Sequence, residues 1–209
     1  PGMQWIVEAY VPFERELSII AARGVDGRIV VYPLVENQHE QGILRTTLVP
    51  SLLSADVAER AEQLASEVIE RMEGVGVFCL ELFLLRDHTL LINEVAPRPH
   101  NSGHYTLNAC SVSQFEQQVR TVCGLPPENV RLLSPAAMVN LIGDEIDRIK
   151  QDLECRRLLD LPGTFLHDYG KRETRLRRKM GHVTFLAPDR AIAQARAQQL
   201  CERLSSAPG

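Results

Sequence analysis

The stretch Val77-Phe78-Cys79-Leu80-Glu81-Leu82-Phe83-Leu84-Leu85-Arg86-Asp87-His88-Thr89-Leu90-Leu91-Ile92-Asn93-Glu94-Val95 decides how this chain folds. Two largely apolar runs, Val77–Arg86 and Thr89–Val95, flank Asp87-His88 and read as a β-hairpin closed by a two-residue turn. With that turn Arg86 faces Thr89, each later pair keeps the same index sum, and Glu81 stands directly opposite Glu94. Cross-strand partners lie about 4.5–5.5 Å apart at Cβ. Two carboxylates so close in apolar surroundings repel, at a cost on the order of 1 kcal/mol or more unless they share a divalent cation. Their oxygens suit Mg2+, which bridges nucleotide phosphates rather than filling an all-protein cage. The pairing alone leaves open a second arrangement, in which one glutamate faces solvent and no metal is shared.

Towards the N-terminus, Ser54 precedes apolar positions at helical spacing (Val57, Ala61, Leu64, Ala65, Val68, Ile69, Met72), so a helix runs from a Ser54 cap to about Met72 and stops at Gly74 and Gly76. Residues 4–48 read as β structure. Trp5-Ile6-Val7 is a short apolar run, and Glu16–Ala22 and Arg28–Leu34 form a hairpin about Val25-Asp26-Gly27. The opening Pro1-Gly2-Met3-Gln4 stands at the threshold of a strand, as in a piece of a longer protein.

Towards the C-terminus, residues 96–105 lack periodicity and read as a loop. A helix follows at 112–123, capped by Ser111 or Ser113 and ended by Gly124-Leu125-Pro126-Pro127. That Pro-Pro step divides the chain into 1–127 and 128–209. Beyond it lie the apolar run Ala136–Ile142, a charged helix near Glu145–Leu159, strands around Thr164–His167 and His182–Leu186, and a helix Arg190–Leu204. Hairpins mixed with separate helices make the class α+β.

Composition narrows the function. With 44% hydrophobic and 24% charged residues the chain is ordinary globular protein, and its 5% aromatic content argues against base-stacking surfaces. A net charge of −4 gives no pull toward nucleic acid or anionic membrane. No apolar run approaches the roughly 18 residues of a membrane span. The five cysteines show no C-x-x-C spacing, which fits reduced thiols in a cytoplasmic protein.

Two segments concentrate polar chemistry. Val95-Ala96-Pro97-Arg98-Pro99-His100-Asn101-Ser102-Gly103-His104-Tyr105 follows Glu94 directly, and its prolines limit the directions of Arg98 and His100. A guanidinium there suits a carboxylate or phosphate, although an isolated string of this kind is ordinarily a satisfied surface loop. Residues 171–179 hold Lys171, Arg172, Arg175, Arg177, Arg178 and Lys179 against the single acid Glu173. Spacing alone ranks a solvated face ahead of a phosphate pocket. His88 reads as a turn residue and His167 as structural.

Several strings together carry a resemblance: Phe13-Glu14-Arg15-Glu16-Leu17-Ser18, Tyr32–His39, Gly42-Ile43-Leu44-Arg45, Asn93–Tyr105, Ser113-Gln114-Phe115-Glu116 and Arg178-Lys179-Met180-Gly181-His182. In this order, over residues 5–186, the chain resembles the N5-carboxyaminoimidazole ribonucleotide synthetase family of the ATP-grasp superfamily. The resemblance implies the C-terminal lobe of an ATP-grasp fold, an antiparallel sheet with helices, followed by a small β-rich domain of rudimentary single-hybrid type. It implies a reaction in which ATP phosphorylates bicarbonate to carboxyphosphate, which carboxylates the exocyclic amine of 5-aminoimidazole ribonucleotide. By motif match, Glu8-Ala9-Tyr10-Val11 would lie against adenine and Glu16 on the ribose, with His39 near the nucleotide. Glu81 and Glu94 would hold Mg2+, with Asn93 alongside. Arg98 and His100 would face bicarbonate and carboxyphosphate, Asn101 the substrate, and Lys171 and Arg178 the ribonucleotide phosphate.

Two positions depart from common patterns. Ala96 stands where many ATP-grasp enzymes place a metal-binding asparagine, a feature this family shares. Arg175-Leu176-Arg177-Arg178 replaces the family's Arg-Pro-Gly-Arg, which makes Arg178 less secure than Lys171. The family's N-terminal domain and most of its central lobe have no counterpart here, so the isolated chain is expected to bind ATP weakly and turn over little. Full-length family members imply a homodimer. Formate-dependent glycinamide ribonucleotide transformylase, with a similar Pro-Arg-Pro-His loop, and a non-catalytic nucleotide-binding remnant are the alternatives.

Overall fold

The computed structural model describes residues 5–175 and 177–205. Among the described residues nine strands form one antiparallel sheet: β1 Arg15–Arg23, β2 Ile29–Val31, β3 Val35–Glu40, β4 Ile43–Val49, β5 Gly76–Leu84, β6 Leu90–Ala96, β7 Ala136–Ile142, β8 Thr164–Asp168 and β9 Lys179–Leu186. The order across the sheet is β6-β5-β1-β3-β4-β7-β9-β8, with β2 paired to the far end of β1. The helices are α1 Ala55–Met72, α2 Thr106–Ala109, α3 Gln114–Val122, α4 Glu145–Gln151, α5 Leu153–Leu159 and α6 Arg190–Ser205.

Strand alternation sends neighbouring side chains to opposite faces. On β1, Leu17, Ile19 and Ala21 join Leu80, Leu82 and Leu84 of β5 against Val57, Ala61, Ala65 and Ile69 of α1. On the same side, Leu48, Ala137, Val139 and Phe185 pack with α4–α6. The opposite face carries Ile20, Ala22, Cys79, Ala96 and Met138 with the buried Tyr32 and Tyr105. Glu16, Ser18 and Glu81 fall on this second face by the same alternation, away from α1 and α6, whereas Glu36, paired with Leu17 and Leu48, falls on the helix-covered face. The β4–β7 ladder, Thr46↔Val139 to Val49↔Ala136, carries the sheet across the Pro126-Pro127 step.

The structure modifies several local expectations. Residues 5–13 form no strand, and Trp5 and Tyr10 are 77% and 89% exposed. Only its end touches the sheet, where Phe13 stacks on Phe83 of β5 at 4.5 Å, and the residues before it form no ladder. Residues 1–4 lie outside the described residues. Ser54 occupies the N-cap position of α1 but makes no side-chain capping bond, and α1 ends at Glu73 in a left-handed conformation rather than at Gly74. The charged helix near 145–159 is two helices, because Asp152 adopts extended backbone and caps α5 by accepting from the Glu154 and Cys155 N–H groups. Part of the 96–105 loop is a 3-10 turn, Asn101–Gly103, leading into α2. Ser113 caps α3 by accepting from the Glu116 N–H.

Candidate active site

The hairpin brings Glu81 and Glu94 face to face by a route the sequence did not show. The Leu85 N–H donates to Thr89 O, so the turn is the three-residue Arg86-Asp87-His88, with His88 at φ 65°. Pairing then runs Leu84↔Leu90, Phe83↔Leu91 and Leu82↔Ile92, one residue out of the predicted register. A bulge at Asn93 restores it, and Glu81 pairs with Glu94 and Leu80 with Val95. Two single-residue departures cancel. Asn93 itself is exposed on the bulge and lies outside the cleft.

Glu81 is half-buried and Glu94 exposed. Burial raises the Glu81 pKa first and the facing Glu94 raises it further, the direction expected of a carboxylate pair without a counter-ion. Carboxylate oxygens of both and a ring nitrogen of His100 lie within 4.8 Å of one another, and His100 Nε2 is 3.3 Å from Glu81 Oε1.

Gln114, fully buried at the start of α3, holds the loop that carries His100. Its Oε1 accepts from the His100 N–H at 2.8 Å and its Nε2 donates to His100 O at 2.7 Å, so one side chain satisfies both backbone groups. Gly103 permits that approach, since a Cβ there would meet Gln114 Oε1 at 2.5 Å. His100 is buried and its pKa is pushed down to about 4, chiefly by burial and then by Arg98, Lys179 and His39, so it is neutral at pH 7. Asn101 is 8% exposed, and neither of its amide atoms has a hydrogen-bond partner among the described residues. A buried amide left so is unusual in a folded protein and suits a ligand. Arg98 is exposed, and its guanidinium donates to Pro99 O at 3.1 Å, beside the cleft rather than in it.

Facing these groups across a cleft of about 570 Å3 are Lys171, Arg177 and Lys179, with His39 and Leu44 between. Lys171 donates to Lys179 O and sits 5.2 Å from the Tyr169 ring centre. Burial lowers the Lys179 pKa, partly offset by Glu81. Arg178 does not line the cleft; its guanidinium donates to Glu173 O at 2.9 Å. Sequence reasoning singled out Lys171 and missed Lys179 and Arg177. Recognising Lys179 required knowing that β9 begins there, because strand geometry then fixes where each side chain points.

His39 joins this cleft to a second one of about 560 Å3, where its Nδ1 lies 2.9 Å from Glu16 Oε2. Two of the residues assigned to the nucleotide, Glu16 and His39, are therefore partners. In the segment Glu8-Ala9-Tyr10-Val11 the first three residues are exposed and Val11 is half-buried, and none lines either cleft. Deeper in the second cleft, Glu36 accepts from Arg15 and from Arg190 of α6. His167, read from the sequence as structural, belongs to a group of packed rings: His167 stacks on His182 at 4.4 Å, His182 on His104 at 5.0 Å, and Tyr169 Oη lies 2.9 Å from His182 Nδ1.

The comparisons with known proteins bear on the family and the fold. Residues 1–115 match the ATP-grasp domain family, and residues 136–196 match the phosphoribosylaminoimidazole carboxylase C-terminal domain. N5-carboxyaminoimidazole ribonucleotide synthase of Brucella melitensis is 48% identical over 183 residues, covering 88% of this chain and 49% of that protein. A crystal structure of N5-carboxyaminoimidazole ribonucleotide synthetase with ADP has a TM-score of 0.86 at 41% identity, covering 92% of this chain and 50% of that one. The Aspergillus clavatus N5-carboxyaminoimidazole synthase in complex with ADP and 5-aminoimidazole ribonucleotide has a TM-score of 0.86 at 31% identity, covering 94% and 53%. The chain thus spans about half the length of these relatives. Two family matches in sequence order, on a sheet shared with solved members, show that the chain belongs to the ATP-grasp family, within its N5-carboxyaminoimidazole ribonucleotide synthase branch.

Proposed function

We propose that this chain provides one wall of the site for an ATP- and bicarbonate-dependent carboxylation of 5-aminoimidazole ribonucleotide to N5-carboxyaminoimidazole ribonucleotide by way of carboxyphosphate. The observation that carries the reading is the cleft itself. It sets a facing carboxylate pair and a neutral histidine against three cationic side chains. Phosphoryl transfer is accelerated mainly by positioning and charge neutralisation, and both signs of charge are present here on rigid strands.

Glu81 and Glu94 fit Mg2+ by the chemistry of their oxygens and by the unrelieved repulsion that raises the Glu81 pKa. When bound, the ion would neutralise phosphate oxygens of ATP. Glu16, with its ring partner His39, is offered to the ribose, and the backbone of Glu8–Val11 to adenine. Asn93 stands beside the metal pair. Lys171 and Lys179 hold anionic oxygens on the far wall, and Arg178 joins them by turning its guanidinium from Glu173 O. Asn101 supplies an unpaired buried donor and acceptor to the aminoimidazole substrate. Arg98 and His100 flank the bicarbonate and carboxyphosphate position. A boundary at 127/128 is part of the same reading, since the two family matches fall on either side of it. So are a cytoplasmic location and a homodimer, which the resemblance alone supports; no helix among the described residues is long and apolar enough to cross a membrane.

The test is ADP release by the protein that carries these residues. It is expected to require both bicarbonate and 5-aminoimidazole ribonucleotide, and release indifferent to either one overturns the reading. Glu81→Gln is expected to lower the rate about 10²–10³-fold. An unchanged rate and unchanged Mg2+ dependence in that variant would remove the metal assignment.

A further inference from the structure

Beneath the cleft runs a buried chain of hydrogen bonds that ends on His100. Thr47 Oγ1 lies 3.0 Å from Asn37 Oδ1, Asn37 Nδ2 lies 2.9 Å from Ser18 Oγ, Ser18 Oγ lies 2.8 Å from Ser102 Oγ, and Ser102 Oγ lies 2.9 Å from His100 Nδ1. Thr47, Ser18 and Ser102 are fully buried, and Asn37 and His100 are 7% and 8% exposed. These residues come from β4, β3, β1 and the 3-10 turn, so the chain crosses three strands before it reaches the ring.

Hydroxyl hydrogens, amide orientations and imidazole tautomers have to be inferred from the bonding network. The Ser102 backbone N–H, which can only donate, lies 3.4 Å from His100 Nδ1, a long contact that favours a lone pair there without fixing it. The Ser102 hydroxyl, 2.9 Å from the same nitrogen, is the shorter donor and completes that arrangement. Ser102 Oγ then accepts from Ser18, Ser18 accepts from the Asn37 amide nitrogen, and the remaining Asn37 oxygen accepts from Thr47. With the Cys79 thiol, 3.6 Å from Ser102 Oγ, also donating to that oxygen, every member of the chain is used in one direction.

We infer that Thr47, Asn37, Ser18 and Ser102 form a one-way donor relay that locks His100 in the Nε2–H tautomer, making it a hydrogen-bond donor into the cleft and excluding it as a third metal ligand beside Glu81 and Glu94. A ring nitrogen that carries a proton has no lone pair for a cation. Its Nε2 lies 3.3 Å from Glu81 Oε1 without being aligned on it, which leaves the N–H available to an anion bound alongside. Within the carboxylation reading, on which this last step rests, the anion is the carboxyphosphate or bicarbonate oxygen. The four relay members are positioning residues. They touch the ring or one another and line no part of the cleft, except that Asn37 borders the nucleotide side.

The experiment reads the ring directly. In long-range 1H–15N correlation spectra of the chain labelled at its histidines, a protonated ring nitrogen and a lone-pair nitrogen resonate far apart. The wild-type His100 signal, identified by its loss in His100→Gln, is expected to show the proton on Nε2, and a proton on Nδ1 overturns the inference. Asn37→Asp replaces the amide donor by an acceptor of the same shape. Ser18 must then donate backwards, and the His100 proton is expected to move to Nδ1; a folded variant that keeps Nε2–H overturns the relay. Ser102→Ala removes the hydroxyl link and is expected to give a mixture of both tautomers, where an unchanged single form denies the hydroxyl its part. Adding Mg2+ to the wild type should leave Nε2 protonated, and loss of that proton restores His100 to the ligand set. The spectra do not depend on turnover, so the tautomer can fail while the carboxylation reading stands, and the reverse.

Discussion

At the scale of single residues, the site is held by groups whose preferences conflict in the absence of ligand. Glu81 is the clearest case, because burial and the facing Glu94 both oppose its charge. A carboxyl group whose pKa is raised by folding favours the folded state while protonated. That contribution is lost as pH rises through its folded value. Glu81→Gln is therefore expected to be more stable than the wild type when no metal is added, with the difference opening as pH rises from 4 to 7. Added Mg2+ is expected to raise the melting temperature of the wild type and not that of the variant, since an ion that binds only the folded state stabilises it. Thermal melts with and without Mg2+ check both statements, and a metal-free variant less stable than the wild type at pH 7 contradicts the first. Gln114 shows the opposite condition, with every polar atom used. Replacing it by Leu strands the buried His100 N–H, while His100 O keeps the Gly103 N–H as a donor. A loss of about 1–3 kcal/mol in urea unfolding is the expected result.

At the scale of elements, the hairpin shows how much of the fold and site was legible and where legibility stopped. His88 has a left-handed backbone in the three-residue turn, a conformation that costs a residue with a Cβ about 1 kcal/mol relative to glycine. Its side chain is exposed, and Arg60 bonds only its carbonyl oxygen. His88→Gly is thus expected to gain about 1 kcal/mol with the register unchanged. A lower urea midpoint would show that the imidazole, rather than the backbone, sets the turn. The strands of this hairpin were readable because their apolar runs are long, and α1 because seven apolar positions keep one period. The turn was misassigned because Asp-His favours no single turn type, and the Asn93 bulge leaves no mark in a pattern of alternation. The Glu81–Glu94 pairing survived only because the two errors had opposite sign. For Glu8–Val11 the chemistry assigned by motif finds no partner among the described residues, so no element positions it. In the basic run, six cations of the same type differ only in which one begins β9, a tertiary fact. The relay beneath His100 was invisible for the same reason: Ser18, Asn37, Thr47 and Ser102 are ordinary polar residues until the sheet brings them together.

At the scale of the whole molecule, residues distant in sequence meet through buried charge and stacked rings as well as through the β4–β7 ladder. Glu36 of β3 is bound by Arg190 of α6, 154 residues away, and by Arg15 and the Leu52 N–H. Burial opposes ionisation of Glu36, but these donors outweigh it and hold its pKa below the ordinary value. On the other face, His104 packs between Phe115 of α3 and His182 of β9, and His182 on His167 of β8. Burial pushes His100 and His104 from 6.5 to about 4 and His182 from 6.5 to about 3. Above pH 6.5 these rings are neutral whether the chain is folded or not. As pH falls below that, the unfolded chain binds protons that the folded chain refuses, and stability declines until the folded values are reached. The wild type is therefore expected to lose stability from about pH 6.5 downward, with a slope approaching three protons. Glu36 adds its own loss only at lower pH, because a carboxylate with a depressed pKa stabilises above its unfolded value and loses that as pH falls through the folded one. The two contributions separate by mutation. His104→Phe keeps a ring between Phe115 and His182 and is expected to reduce the slope between pH 6.5 and 5 by about one proton. Glu36→Gln leaves the buried Arg190 charge unpaired and is expected to cost about 3–5 kcal/mol near neutral pH without altering that slope. Urea unfolding at a series of pH values reads both quantities, and a His104→Phe slope equal to the wild type's would mean that the stacked histidines do not exclude protons in the folded chain.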